Sequence, residues 1–161
     1  MKKIFFILFL LTIGLNVQAQ ESAEEKASRA TQLMSEKVEM EVDIALFTSV
    51  SPNTYVSEFP KGVIMAMKVP ESYETSKKKI NEELISSGKF NVTDRREKTI
   101  NGVKVLYMEG TSVAEGVTLN NKIYCIEIDD KTCFVFFGML EVDADAKYAK
   151  AITDAAASVI K

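Results

Sequence analysis

The chain has 161 residues, 47% of them hydrophobic, with a net charge of −3, two Cys, no His and no Trp. That hydrophobic content supports a packed core and excludes a disordered or fibrous chain. Without His the chain lacks the commonest general base, the commonest zinc ligand and every Ser-His or Cys-His pair. Two Cys are too few for a zinc ribbon or a disulfide-dense scaffold. The acidic balance argues against a nucleic-acid partner.

Lys2 and Lys3 precede an apolar stretch from Ile4 to Leu15, followed by Val17, Gln18 and Ala19. A charged start, an apolar middle and a small-x-small end are the marks of a secretory signal peptide. The apolar stretch is too short for a bilayer-spanning helix, which needs roughly 20 residues. Residues 1–19 are therefore expected to be cleaved, leaving Gln20 first and no membrane span. The mature chain carries 18 basic and 23 acidic residues. This places it in the periplasm or outside the cell.

Ser22-Ala23-Glu24-Glu25 reads as a capping box before a short Ala-rich helix over 23–35. Residues 20–36 form an N-terminal helix or linker, and 37–161 one domain. Lys37, Glu39, Glu41 and Asp43 alternate with Val38, Met40, Val42 and Ile44, which predicts a strand. Thr48 to Lys61, with Ser-Pro-Asn and Phe-Pro, reads as a loop. Gly62 to Val69 is strand-like and stops at Pro70. A helix follows from Ser72 to Ser87, with Tyr73, Ile80, Leu84 and Ile85 inward and Gly88 just past its end.

Asn101-Gly102 between two strand-like runs signals a two-residue hairpin turn. It pairs Ile100 with Val103, Lys98 with Val105 and Arg96 with Tyr107. One face then gathers Phe90, Val92, Ile100, Val103, Val105 and Tyr107. A strand over 117–128 turns at Asp129-Asp130-Lys131 into Cys133–Leu140, which is apolar on both faces and belongs in the middle of a sheet. Asp143 or Asp145 caps a final helix whose stripe is Tyr148, Ile152, Ala155, Ala156, Val159 and Ile160. The order is that of an α+β domain: a single, mostly antiparallel sheet with flanking helices and a C-terminal helix.

The strand ending Val69-Pro70, the helix opening at Glu71-Ser72-Tyr73, the hairpin 100–104, the apolar strand 133–140 and the closing helix together resemble the PsbP/DcrB-like fold over about residues 62–161. The resemblance implies an antiparallel sheet flanked by helices and a binding or accessory protein rather than an enzyme. It carries no catalytic residues over to this chain.

The chemistry-bearing motifs fail individually. Gly110 to Gly116 lacks the Lys-Ser/Thr of a phosphate loop. Asp143-Ala-Asp145 places Tyr148 and Asp154 where a calcium loop needs Gly and Glu. Glu127, Asp129 and Asp130 sit at a turn. Asn91-Val-Thr93 fits a glycosylation acceptor. No catalytic residue, metal site or cofactor is expected. Residues 77–104 hold eight basic and four acidic groups, which marks Lys77, Lys78, Lys79, Arg95, Arg96 and Lys98 as a basic patch for an anionic ligand or a protein. Cys125 and Cys133 flank a turn in a compartment that permits a disulfide. A two-residue loop at 129–130 puts them on opposite faces. A three-residue loop at 128–130 sets them opposite each other, within disulfide reach. The alternation of Tyr124, Ile126 and Ile128 against Cys125 and Glu127 favours the unbridged register.

The reading is an exported, non-catalytic binding or accessory protein of the bacterial envelope. The alternative is a small hydrolase or lyase using Asp/Glu, Lys, Ser or Tyr. The intact mass of protein recovered from its native host is expected to begin at Gln20. A mass retaining residues 1–19 refutes the cleavage.

Overall fold

A computed structural model of the chain describes residues 23–86, 88, 90–100 and 102–160. The signal peptide assigned to 1–19 and Asn101 lie outside the described residues. The elements are α1 (Ala23–Ser35), β1 (Thr48–Ser51), β2 (Thr54–Ser57), β3 (Gly62–Val69), α2 (Tyr73–Ile80) and β4 (Phe90–Ile100). They continue with β5 (Val103–Ala114), β6 (Val117–Asp129), β7 (Thr132–Glu141) and α3 (Ala146–Val159). The strands form one seven-stranded antiparallel sheet in the order β1-β2-β3-β7-β6-β5-β4. The domain is α+β.

β7 is the middle strand, and Thr132 to Gly138 are all buried. Its alternate residues feed two cores. Phe134, Phe136 and Leu140 join Phe47, Ile64, Val105, Ile152 and Ala155 on one face. Cys133, Val135 and Phe137 join Tyr73, Ile80, Leu106, Met108 and Cys125 on the other. The first core lies under α3, the second under α2. α1 lies against β3 on the second face and contributes Met34. Asp145 caps α3 by accepting from the Lys147 amide, and Ser72 caps α2 by accepting from Thr75.

Close approach of α3 rests on Gly138. A Cβ built there collides with Cγ2 of Ile152. Helix and sheet meet backbone to side chain at this point, and any other residue would lift α3 off the first core.

Five sequence expectations need correction. Residues 37–43 are extended but belong to no strand. Val38, Met40, Val42 and Leu46 do point inward, onto the first core. The segment is a strap, held by side chains instead of a neighbouring strand. Val38 donates its amide to Oδ1 of Asn53 (2.7 Å), Asn53 Nδ2 donates to the Glu36 carbonyl (2.7 Å), and Glu41 donates to Oγ of Ser158 (2.9 Å). Period two reports extended backbone with one face buried, and it does not require a ladder.

The stretch read as a loop, 48–61, contains the β1–β2 hairpin, which turns at Pro52-Asn53 between Ser51 and Thr54. Asn53 has φ 62°. Pro followed by a residue with positive φ is the arrangement of a type II turn. The expected single helix over 72–87 becomes α2 followed by a π turn, Asn81–Ile85, with Leu84 and Ile85 still packed on the second core.

The hairpin pairs Ile100 with Val103, Lys98 with Val105 and Arg96 with Tyr107, and Gly102 takes φ 83°. A bulge between Val92 and Asp94 then reverses the facing. Phe90 and Val92 therefore join the second core, while Ile100, Val103 and Val105 join the first. One inserted residue moves every side chain beyond it to the opposite face.

Neither expected register at the two cysteines is the one adopted. Glu127 pairs with Cys133, Cys125 pairs with Val135, and a shift at Ile128 precedes the Asp129–Thr132 closure. Cys125 and Cys133 thus sit diagonally on one face.

Gly138→Ala is expected to cost roughly 1–3 kcal/mol by overpacking. Adding Ile152→Ala, which costs stability alone, should partly restore the Gly138→Ala variant. Chemical denaturation of the two singles and the double checks this. Strict additivity would show that the helix-to-sheet contact does not pass through this pair.

Candidate binding site

Cross-strand pairing aligns side chains in rows over the sheet face that carries α3. One row runs Arg96–Tyr107–Tyr124–Phe136 from β4 to β7. The Tyr107 and Tyr124 ring centroids are 4.9 Å apart, and Tyr124 meets Phe136 edge-on at 5.8 Å. The flanking rows are Lys98–Val105–Ile126–Phe134 and Asp94–Glu109–Lys122–Gly138.

α3 covers the β7 end of these rows. Beyond it β4 and β5 leave a groove of about 310 Å³. Val105, Tyr107 and Tyr124 line it, together with Ile100 and Ile160, which follows the last turn of α3. Asp94, Arg96, Lys98 and Glu109 also line it. Tyr107 and Tyr124 are half-buried. An amphipathic ring at a partly covered site offers an apolar body to a ligand and a hydroxyl to water or to a polar group. A second depression, of about 170 Å³, lies among Gly62, Val63, Val117, Leu119 and Met139.

The charges of the groove are largely matched. Asp94 and Glu109 face each other across β4 and β5, an arrangement that is unfavourable for like charges unless it is compensated. Arg96 holds Asp94 at 2.7 Å, and Lys122 holds Glu109 at 3.3 Å. Lys122 also donates to Oγ1 of Thr153 at 2.9 Å, which ties this rim to α3. Burial first, and the Glu109 carboxylate second, push the Tyr107 hydroxyl far above the ordinary tyrosine range. The same two causes raise Tyr124. Both rings are therefore neutral donors at any physiological pH. Lys98 makes no ion pair among the described residues.

The six basic residues singled out in the sequence do not share one surface. Arg96 and Lys98 belong to the groove face. Lys77 lies on α2, on the opposite side of the sheet, and bridges Glu74 at 2.9 Å and Glu97 at 3.1 Å. Lys78 reaches Glu82 at 3.8 Å, and Lys79 pairs with Glu71. Arg95, one residue from Arg96, points to the α2 side with Glu97. Helical spacing and strand alternation, applied together, divide a charge run between two faces. The tyrosine pair was missed in the sequence, although the hairpin register already set Arg96 opposite Tyr107. What was lacking was the β5–β6 register, which brings Tyr124 alongside. Among the described residues no three His, Cys, Asp or Glu side chains gather to hold a metal ion. No described helix is long and apolar enough to cross a membrane.

No family model matches the chain, and no curated protein matches it. Solved structures are similar to it. LpqN of Mycobacterium tuberculosis, described as involved in cell envelope biogenesis, aligns with a TM-score of 0.55 at 12% identity, over 76% of this chain and 79% of that one. PA94 of Pseudomonas aeruginosa, a protein of unknown function described as a putative regulator, aligns with a TM-score of 0.49 at 9% identity, over 77% and 85%. At 12% identity the likeness to LpqN is one of fold alone.

Proposed function

We propose that this chain is an exported, non-catalytic binding or accessory protein of the bacterial envelope, of the PsbP/DcrB-like kind, and that it holds an anionic ligand in the tyrosine groove. The observation that carries the reading is the groove's composition. An aromatic and aliphatic floor lies beside Lys98, a cation that no carboxylate among the described residues engages. Pockets that bind small molecules combine such an apolar lining with a few placed polar groups. The envelope role described for LpqN is consistent with this setting.

A second reading draws on Asp94 and Glu109, two facing carboxylates in the same groove. They would serve a hydrolase or lyase. Their pairing with Arg96 and Lys122 speaks for a structural role instead.

Native mass spectrometry of the protein recovered from its host envelope is expected to show a bound anionic small molecule. Titration of that compound should weaken about tenfold for Lys98→Glu and for Tyr124→Ala, or about 1.4 kcal/mol each. Titration is readily followed by tyrosine emission, since the chain has five Tyr and no Trp. A chain that carries no ligand, or equal affinity in both variants, refutes the groove as the site. Conversion of the compound during incubation, abolished by Glu109→Gln, replaces binding with catalysis.

A further inference from the structure

Cys125 and Cys133 are both completely buried. They belong to the second core, on the sheet face opposite the tyrosine groove. The register shift at Ile128 places them diagonally across β6 and β7, with their sulfurs 3.6 Å apart. Both are free thiols in this structure. Cys133 also donates to Oγ of Ser76, on α2, at 3.0 Å. Tyr73, Ser76 and Ile80 are the residues with which α2 meets the sheet here, and all three are buried.

We propose that Cys125 and Cys133 are a redox pair that interconverts between two thiols and an intrachain disulfide, with α2 as the gate that admits the oxidant. The inference is independent of the groove. It draws on the export reading only for a compartment that holds disulfide oxidants.

The geometry supports the bond. A disulfide needs its sulfurs about 2.05 Å apart. Diagonal neighbours stand ~7–8 Å apart at Cα, at the edge of disulfide reach. Closing the 3.6 Å gap therefore takes side-chain rotation together with a small backbone shift at the irregularity around Ile128. The chemistry also has a direction. The hydrogen bond from Cys125 holds the Cys133 thiol below its ordinary range, and the Ser76 hydroxyl adds to this by donating to the thiolate. Its bond to Cys133 and its burial push Cys125 up. Cys133 is the attacking sulfur, because Oγ of Ser76 lies 3.0 Å from it and can donate to its thiolate. Its thiolate displaces one thiolate from a low-molecular-weight disulfide and forms a mixed disulfide. The Cys125 thiolate then attacks the Cys133 sulfur and releases the second thiolate. Two electrons leave the pair, and the two cysteine protons end on the two released thiols.

Access requires α2 to lift, because neither sulfur meets solvent. Burial of Tyr73 and Ile80 in the second core holds α2 down, and ion pairs at its rim add to this. Lys77 reaches Glu97 of β4 at 3.1 Å, and Glu74 reaches Lys104 of β5 at 3.8 Å. The π turn that follows α2 interrupts its regular hydrogen bonding. Such turns are frequent at functional sites.

The folded protein, reduced and then exposed to glutathione disulfide, is expected to remain monomeric and to lose two hydrogen atoms in mass. After denaturation it should offer no alkylatable thiol, and dithiothreitol should restore two. Cys125→Ser should stop at a glutathione adduct on Cys133. Lys77→Ala should oxidise several-fold faster than the parent, because α2 loses its bridge to β4. Two alkylatable thiols after native exposure, or a disulfide formed only in denaturant, overturns the pair. An unchanged rate in Lys77→Ala overturns the gate.

Discussion

The structure depends on a single strand that has no wet side. β7 must be covered above and below, and each neighbour answers part of that demand. β3 and β6 satisfy its hydrogen bonds on both edges. α3 and the strap close one face, and α2 with its π turn closes the other. Gly138 is the one position in β7 where the demand is relaxed, because there the covering helix comes closer than a side chain allows. The groove and the thiol pair lie on opposite faces of this sheet, each beneath or beside the helix that covers it.

Much of this was legible in the sequence, because β7 announces itself. An uninterrupted apolar run bounded by turns specifies a central strand. The stripe Tyr148, Ile152, Ala155 and Ala156 specifies a helix that lies on it. The Asn-Gly turn fixed the β4–β5 register near the hairpin tip, down to Arg96 opposite Tyr107. The errors share one cause, which is that pattern reports environment before it reports pairing. Val38, Met40 and Val42 alternate because one side of an extended chain faces a core. Asn53, fifteen residues from Val38, supplies the amide group that a neighbouring strand would have supplied. Nothing local to 37–43 reveals that.

The candidate site was less legible, for a different reason. Charge runs are read along the chain, whereas sites are built across it. Lys77, Lys78 and Lys79 are adjacent in sequence yet serve four different carboxylates. Tyr107 and Tyr124 are seventeen positions apart and touch. The bulge between Val92 and Asp94 matters equally. It turns the end of β4 toward α2 and leaves the stretch beyond it aligned with the groove. A bulge of this kind carries no Gly or Pro to betray it here, since the extra residue is Thr93.

The edge strand β4 has a consequence for how copies of the molecule meet. Eleven residues of unpaired backbone border the sheet on that side, against four in β1. An open border of that length is a template on which a sheet can grow from molecule to molecule. Asp94, Arg95, Arg96, Glu97 and Lys98 occupy its middle, and every second one projects to each face. A strand docking there would strip water from cations and anions on both surfaces at once. The groove therefore opens beside a border whose charges disfavour edge-to-edge docking of another copy.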